Sequence, residues 1–446
     1  MNTQHMTTQY RVYAQRRAEL LSAVHNANPA LNKQSVIVLI GGFEQERTLF
    51  RQESSFYYLS GITEPGVVLV IGMDGTTTLW YPSCYHKRFQ WVDVPLDIRT
   101  DHIKQLHIQQ SRELGESSTG YQMHPFFPRE EYSRFIDYLQ AVVANGGTLF
   151  TLAPNDAGSY VEQRLIVERL KKFAPEIADK IVNISSFVHA MRRRKDMHEI
   201  ELLYKAVDIT CLAHEAAARA ISNDSSEAEV QASLEYIMTG SGARPSFPSI
   251  VAGGKNSTIL HYHKSAHELN KGDVVVVDIG AEYQMYCGDI TRTYPVSGRF
   301  SARQKELYQL VLETQEYIAE QIKPGIWLSN AQHPDNSLNH KAKQFLKDRG
   351  YGEFFTHSIG HFLGLDVHDV GDYQQPLQEG DVITVEPGLY LPDENIGIRI
   401  EDNYWVVKDG SVCLSEQLPK RIEAIEELIQ ESKDQFDDND QEYAQG

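Results

Sequence analysis

The sequence predicts an N-terminal α/β domain followed by a C-terminal α+β domain. The chain has 446 residues, of which 41% are hydrophobic, which suffices for two or three domains. In the first half, apolar strand-like runs alternate with stretches of helical periodicity, as in an α/β layer. In the second half, long helical stretches are separate from strand-rich segments, which indicates an α+β domain. We place the domain boundary near residue 183, so that the domains span 1–183 and 184–428.

The first domain opens with helical periodicity over residues 10–24. Three apolar runs then have the composition of strands: SVIVLI (35–40), GVVLVIG (66–72) and TTTLWY (76–81). Helical periodicity returns near 129–143 and 159–173, and Pro175 follows the second of these stretches. Because strands and helices take turns along the chain, we expect a sheet layered against helices.

The second domain contains three long helical stretches. They cover residues 197–221, 226–239 and 301–322, and strands are predicted over 274–296, 382–391 and 396–408. Residues 429–446 are predicted to be a disordered tail, because the final segment ESKDQFDDNDQEYAQG is acidic and has no apolar period.

Composition excludes several classes of protein. The formal net charge of −19, from 42 basic and 61 acidic residues, argues against nucleic acid as a partner, since that needs a basic surface. The four cysteines are far apart and form no CxxC pair, which indicates reduced thiols rather than disulfides. The N-terminus lacks the apolar segment of a secretory signal, and no apolar run could span a bilayer. We therefore expect a soluble, cytoplasmic protein without a membrane partner.

Two apolar strands in 273-DVVVVDIGAEYQMYCGDITRTYPV-296 each contain an aspartate where burial is expected. A two-residue turn at Tyr283–Gln284 would place Asp278 directly opposite Asp289, with Cβ atoms about 5 Å apart. Two buried carboxylates at that distance repel each other unless they are paired or bind a metal. We therefore predict a cation between them.

A second hairpin repeats this arrangement. The segment 382-VITVEPGLYLPDENIGIRIEDNYWVV-407 contains Glu386 and Glu401 on apolar strands, placed symmetrically about the turn-like PDEN. The chain is thus predicted to form two hairpins, each of which offers two acids. The structural alternatives are an edge position for an aspartate and an ion pair of Glu401 with Arg399, which lies on the same face of the strand.

Between the hairpins, 354-FFTHSIGHFLGLDVHDVGDY-373 contains His357, His361 and His368. Four carboxylates with one imidazole form an oxygen-rich ligand set that favours Mn²⁺, with Co²⁺ or Zn²⁺ as alternatives. Such a set suits two divalent metal ions that share carboxylates. Taken singly, loop histidines are more often caps or packing residues, but the combination with two acid hairpins indicates a site.

These motifs resemble the pita-bread metallopeptidases, which include methionine aminopeptidase, prolidase and aminopeptidase P. The resemblance rests on VVVVDIGAEYQMYCGDITRTYPV, THSIGHFLGLDVHDVG, VITVEPGLYL and GIRIEDN, whose order and spacing match over about residues 185–425. It implies a pita-bread (creatinase/aminopeptidase) fold for the C-terminal domain. The metal ligands that it implies are Asp278, Asp289, His361, Glu386 and Glu401.

The resemblance also implies roles around the metals. It assigns His261, His357 and His368 to substrate binding and catalysis, Arg399 to an ion pair with site carboxylates, and Tyr390 to the pocket. Glu386 would move a proton from water towards the leaving nitrogen while a hydroxide between the two metal ions attacks. His263 has no motif role and is expected at the surface.

The N-terminal half of the chain reduces the number of family members that the sequence resembles. RRAELL and LFRQESSFYYLSGITEPGVVLV (49–70) resemble the N-terminal domain shared by aminopeptidase P and prolidase, which disfavours methionine aminopeptidase. The short connection LDVHDVGDYQQPLQEGDVITVEPG favours aminopeptidase P, an exopeptidase that releases the residue before proline from peptides. Prolidase, a dipeptidase, is the alternative, and a non-catalytic binding module is a remote one. The family further implies a homodimer or homotetramer.

Overall fold

The computed structural model describes residues 3–83, 88, 90–92, 102–118, 120, 122–152 and 160–430. Contacts divide the chain into two units, Met1–Arg192 and Arg193–Gly446. Cys84 and residues 431–446 of the predicted tail lie outside the described residues. The prediction of a tail from residue 429 is wrong at its first two positions, because residues 422–430 form a helix. Cys211, Cys287 and Cys413 are free thiols, as predicted. No helix in the described ranges is long and apolar enough to cross a membrane.

The N-terminal unit is built on a six-stranded mixed sheet. Its strands are β1 (Val36–Ile40), β2 (Val68–Gly72), β3 (Thr77–Tyr81), β4 (Gln110–Glu113), β5 (Leu149–Thr151) and β6 (Ile181–Asn183), in the order β4-β3-β2-β1-β5-β6. The pairs β1–β2 and β2–β3 are antiparallel. The other three pairs, β3–β4, β1–β5 and β5–β6, are parallel. The described helices are α1 (Thr3–Ala27), α2 (Ser54–Ser60), α3 (His102–Gln105), α4 (Ser133–Ala144), α5 (Val161–Phe173) and α6 (Ser185–Arg193).

Apolar residues of this sheet form the core of the N-terminal unit with two helices. Val38 and Val70 are opposed on β1 and β2, and they belong to one buried cluster with Phe135 of α4 and Ile166 of α5. The helical periodicity of 129–143 and 159–173 therefore arises because each helix presents an apolar stripe to the sheet. The α/β layer predicted for the first half is confirmed.

The C-terminal unit contains long helices and several small antiparallel sheets. Its helices are α7 (Met197–Ala220), α8 (Glu227–Gly240), α9 (Ala302–Ala319), α10 (Leu338–Asp348) and α11 (422–430). Capping boxes begin three of them, at Asp196 and Glu199, Ser226 and Glu229, and Ser301 and Gln304. Each box satisfies backbone N–H groups that a helix start leaves unpaired, which fixes where the helices begin.

The strands of this unit lie in four sheets. They are β7 (Arg244–Pro245), β8 (Ile250–Gly253), β9 (Val274–Ile279), β10 (Ala281–Tyr283), β11 (Tyr286–Cys287), β12 (Ile290–Pro295), β13 (Val382–Val385), β14 (Gly388–Leu391), β15 (Ile396–Arg399), β16 (Asp402–Val407) and β17 (Gly410–Cys413). The sheet orders are β11-β10-β7, β12-β9-β8, β13-β16-β17 and β14-β15. Every residue of β9 is buried, so the run VVVVDI has no polar face and its aspartate enters the interior.

The predicted opposition of Asp278 and Asp289 is wrong. Thr291, not Asp289, is the partner of Asp278 in the β9–β12 ladder. The turn of this hairpin lies at Gln284–Met285, one residue later than predicted, and both residues have positive φ, 47° and 74°. The two aspartates are therefore diagonal neighbours rather than direct partners.

The predicted register of the second hairpin is confirmed. Gly388 pairs with Arg399 on one side of the acids, and Val385 pairs with Asp402 on the other. Glu386 and Glu401 occupy the interruption between these two ladders, where the β13–β16 sheet gives way to β14–β15. Glu401 instead forms a β-bridge with Thr291, which joins the second hairpin to the first.

Candidate metal centre

Three side chains from different parts of the C-terminal unit converge on one point. Asp289 precedes β12, Glu401 precedes β16, and His361 lies in the loop between α10 and β13. One ligand atom from each of these residues lies within 4.8 Å of the others. The Glu401 N–H donates to the Thr291 carbonyl at 3.0 Å, so the bridge between the two hairpins brings the acids together.

The ring of His361 is oriented for a ligand role. Its Nδ1 lies 3.0 Å from the Phe362 carbonyl, and its Nε2 lies 3.3 Å from Asp289 Oδ2 and 3.5 Å from Glu386 Oε1. A carbonyl at Nδ1 favours the tautomer whose Nε2 lone pair is free for a metal. Burial lowers the pKa of His361, but the Asp289 hydrogen bond and the charges of Glu386 and Asp289 outweigh it and raise the pKa to about 9.

Two carboxylate oxygens at this site lack a hydrogen-bond donor. Asp278 Oδ1 and Glu401 Oε1 are buried and have no partner among the described residues. Their sister oxygens are satisfied, Asp278 Oδ2 by Arg399 Nη2 at 2.5 Å and Glu401 Oε2 by Thr291 Oγ1 at 2.8 Å. A buried charged oxygen without a donor costs at least about 1–3 kcal/mol. Divalent cations would remove this cost, so the residues present fit a metal centre.

Burial disfavours the ionised form of Asp289, Glu386 and Glu401. Burial is the main cause that raises the pKa of Asp289 to about 6 and that of Glu386 to about 7. Burial and the neighbouring carboxylates Asp289, Glu386 and Asp278 hold the pKa of Glu401 well above its usual range. Positive charge at this point would reverse these shifts, because it favours the ionised carboxylates.

A cavity of about 580 Å³ opens beside the cluster. Asp278, His361 and Glu386 line it, whereas Asp289 and Glu401 are not among its lining residues. The lining also includes Leu260, His261, Ser329, His357, Ser358, Gly360, His368, Tyr373 and Arg399. The cavity therefore brings together the three histidines assigned to substrate and three of the five predicted ligands.

His368 and His357 differ in their surroundings. The ring of His368 is perpendicular to that of His361 at a centroid distance of 4.3 Å, and burial followed by the His361 charge lowers its pKa. His357 Nε2 lies 2.9 Å from the Tyr390 hydroxyl, and burial lowers its pKa to about 3. Both imidazoles are therefore neutral near pH 7 in this environment, able to donate or accept a hydrogen bond.

Tyr390 lies behind His357 rather than among the residues that line the cavity. Its hydroxyl also accepts a hydrogen bond from Arg399 Nη1 at 2.8 Å. It is buried at 5% exposure, and this position supports a role in holding His357 and Arg399. Contact of Tyr390 with a substrate stays a prediction. His263 is exposed, with its ring stacked 6.2 Å from that of His261.

Sequence reasoning missed two threonines that hold the acids. Thr291 Oγ1 donates to Glu401 and accepts from Arg399 Nε at 3.1 Å. Thr384 Oγ1 lies 3.3 Å from Glu386 Oε1 and accepts from the His361 N–H at 3.1 Å. Both threonines are polar residues within buried apolar strands, but a threonine there does not carry the unpaired charge that marked Asp278.

The comparisons with known proteins agree with this geometry. The model of metallopeptidase family M24 matches residues 201–408, and that of the aminopeptidase P N-terminal domain matches residues 13–117. A Haemophilus influenzae Xaa-Pro aminopeptidase is 32% identical over an alignment of 432 residues, and the match covers 90% of this chain and 94% of the relative. A Pyrococcus horikoshii Xaa-Pro dipeptidase is 40% identical over 254 residues, which are 56% of this chain and 69% of the relative.

A solved structure supports the same fold. The E. coli aminopeptidase P with the inhibitor Pro-Leu superposes with a TM-score of 0.79 at 27% identity, and the match covers 95% of this chain and 99% of that chain. The predicted combination of an N-terminal domain with a pita-bread C-terminal domain is confirmed by these matches.

Proposed function

The chain belongs to metallopeptidase family M24 and is a metal-dependent exopeptidase; we propose that it releases the N-terminal residue from peptides with proline in second position. The observation that carries the proposal is the pair of unpartnered oxygens, Asp278 Oδ1 and Glu401 Oε1, beside a cluster of Asp289, His361 and Glu401. Bound cations would satisfy these two buried oxygens, which have no donor among the described residues and lie next to an open cavity.

The proposed metal site uses the five residues implied by the resemblance to the pita-bread metallopeptidases. Asp278, Asp289, His361, Glu386 and Glu401 would hold two divalent ions, with Mn²⁺ favoured by the oxygen-rich set and Co²⁺ or Zn²⁺ as alternatives. When bound, such ions lower the pKa of water and polarise a carbonyl oxygen. The cavity beside them supplies the space for a peptide.

The chain's own residues would perform the remaining steps. Glu386 lines the cavity, and its Oε1 lies 3.5 Å from His361 Nε2, so its carboxylate would be placed to accept a proton from water and pass it to the leaving proline nitrogen. His368 and His261 line the cavity and would stabilise negative charge that develops on the scissile carbonyl oxygen. Arg399 would fix the position of Asp278 through their ion pair.

The substrate class follows from the chemistry of proline and from the relatives. An Xaa-Pro bond has no N–H and its ring fixes φ, so enzymes that bind extended backbone through N–H donors act on it poorly. The full-length relative is named for the Xaa-Pro bond, and the E. coli enzyme was solved with Pro-Leu. A proline-containing peptide is therefore the substrate class that we propose.

Prolidase activity is the second candidate. The dipeptidase relative has the higher identity, 40%, but it matches only 56% of this chain. The aminopeptidase relative matches 90%, including the N-terminal unit. Coverage of both units favours the aminopeptidase. Homo-oligomeric assembly as a dimer or tetramer, and a cytoplasmic location, stay predictions from the sequence.

Hydrolysis of a matched substrate pair tests the proposal. We expect the protein to cleave an Xaa-Pro-Xaa tripeptide with Mn²⁺, to lose this activity with a chelator, and to recover it when metal is restored. Cleavage of an Xaa-Pro dipeptide alone would assign prolidase activity instead. Absence of cleavage of either peptide with any divalent metal would contradict a catalytic role, and an Asp289→Ala variant controls for contaminating peptidases.

A further inference from the structure

The backbone of Asp289 is held by a side chain from another strand. Asp289 lies just outside the β9–β12 ladder, whose described pairing begins at Ile290 and Ile279. The Asp289 N–H donates to Asn403 Oδ1 at 3.2 Å, and Asn403 Nδ2 donates to the Asp289 carbonyl at 2.5 Å. The Asn403 amide thus takes the place of a strand partner and satisfies both polar groups of this residue.

Asn403 is itself fixed in position. It pairs with Thr384 in the β13–β16 ladder, and its carbonyl accepts from the Leu414 N–H at 2.8 Å. The residue is fully buried, at 0% exposure, and Asp289 is buried at 5%. Because alternate residues of a strand face the same side, Glu401 and Asn403 are directed to the same side of the chain. One segment therefore offers a carboxylate at Glu401 and holds Asp289 through Asn403.

We propose that Asn403 is a positioning residue of the metal centre, which sets the place of the Asp289 carboxylate relative to Glu401 by binding the Asp289 backbone. This inference rests on the proposed function, because it takes Asp289 and Glu401 as metal ligands. Groups that hold metal ligands in position through hydrogen bonds contribute to metal affinity, and their substitution typically weakens it by about 10- to 100-fold. Here the orienting bonds act on the backbone of the ligand rather than on its carboxylate.

The chemistry of the position selects asparagine. The carboxamide carries a donor, Nδ2, and an acceptor, Oδ1, at the same distance from the backbone. They match the carbonyl and the N–H of one residue. An aspartate keeps an acceptor for the Asp289 N–H but turns an oxygen towards the Asp289 carbonyl, and a leucine of similar size offers neither bond. Asn403→Asp and Asn403→Leu therefore remove one and both bonds without emptying the space.

Mn²⁺ binding to the metal-free full-length protein, measured by isothermal titration calorimetry, tests the inference. We expect Asn403→Leu to weaken Mn²⁺ affinity by about 10- to 100-fold. Asn32→Leu is the matched control, because Asn32 also binds backbone through both ends of its amide, at Gln34 N–H and the Asn145 carbonyl. Asn32 lies in the N-terminal unit, and its substitution should leave Mn²⁺ affinity unchanged.

Thermal unfolding of the metal-free variants separates positioning from general stability. A folded Asn403→Leu protein with wild-type Mn²⁺ affinity would overturn the inference, whatever its Tm. If Asn403→Leu does not fold, Asn403→Asp decides by the same titration, with weakened affinity in support and wild-type affinity against. Failure of the wild-type protein to bind Mn²⁺, Co²⁺ or Zn²⁺ would instead contradict the proposed function, so the two failures are distinguishable.

Discussion

Arg399 and Asp278 form a buried ion pair at the wall of the cavity, with Nη2 2.5 Å from Oδ2. The same guanidinium donates to the Thr291 hydroxyl and the Tyr390 hydroxyl, at 3.1 and 2.8 Å. Its positive charge lowers the pKa of Asp289, Glu386 and Glu401, against the larger effect of burial. Arg399 therefore neutralises part of the acid cluster before any metal binds.

Removing this charge should destabilise the metal-free protein. Arg399→Met leaves the buried Asp278 carboxylate without the guanidinium that pairs with it. Breaking a buried ion pair by removing one partner lowers the free energy of unfolding by about 3–5 kcal/mol. We expect a lower free energy of unfolding in urea without metal, and Mn²⁺ should recover much of the loss, because binding to the folded state adds stability. Arg303→Met is the control, since Arg303 pairs with Glu394 at the surface, where such pairs contribute up to about 1 kcal/mol. Equal effects of the two substitutions would contradict the argument.

Glu386 should be essential for turnover, whereas His263 should not. Glu386→Gln keeps the shape of the side chain but removes the carboxylate that lies 3.5 Å from His361 Nε2. Loss of a general base lowers rates by about 10²- to 10⁴-fold, so we expect kcat for an Xaa-Pro-Xaa tripeptide to fall at least 10²-fold. His263→Ala, at an exposed position, should leave kcat and KM near wild type. Substantial activity in Glu386→Gln would remove its proposed role.

The two hairpins show how far local sequence patterns reach. PDEN contains proline and asparagine, and Asn395 adopts a positive φ of 54°, so composition locates that turn and with it the register of Glu386 and Glu401. The turn at Gln284–Met285 also needs positive φ but contains neither glycine nor asparagine, and its position was predicted one residue too early.

The residues that support the acids were beyond sequence reasoning for a different reason. Asn403 is 114 positions from Asp289 along the chain, and Thr291 is 110 positions from Glu401. Periodicity reports which residues are buried, but it does not report which strands become neighbours. The four acids were predicted from chemistry that is unusual in an apolar strand, whereas a buried threonine or asparagine is ordinary until its partner is known.

A second buried ion pair should stabilise the loop that carries His368. Lys195 Nζ lies 3.0 Å from Asp369 Oδ2, with side-chain exposures of 0% and 1%. Asp369 also donates its backbone N–H to the Phe362 carbonyl at 2.9 Å, so the pair holds the residue that follows His368. Lys195→Met should cost about 3–5 kcal/mol of unfolding free energy, because it leaves this buried carboxylate without the lysine.

Urea unfolding of three variants tests that pair. Lys195→Met with Asp369→Asn removes both charges, so the double variant should be more stable than Lys195→Met alone. If the double variant loses as much unfolding free energy as the two single variants together, the residues act independently and the prediction is contradicted. Wild-type stability of Lys195→Met would contradict the prediction outright.

His214 should make the stability of the protein depend on pH. Its ring is fully buried on α7, with Nε2 3.0 Å from the Ile290 carbonyl and Nδ1 3.2 Å from the Tyr294 hydroxyl. Burial, followed by the charge of Arg292, lowers its pKa to about 3 from an ordinary value of 6.5. The folded state therefore holds His214 neutral under conditions in which the unfolded chain would protonate it.

The direction of the pH effect follows from this difference. Since the folded pKa is below the unfolded one, the full stability is present above pH 6.5 and is lost progressively as pH falls from 6.5 towards 3. One extra proton bound by the unfolded state corresponds to about 1.4 kcal/mol per pH unit. We expect the free energy of unfolding in urea to fall more steeply between pH 7.5 and pH 4 for the wild type than for His214→Gln, in which no group titrates at this position. Parallel curves for the two proteins would contradict the prediction, because every other titrating group is common to both.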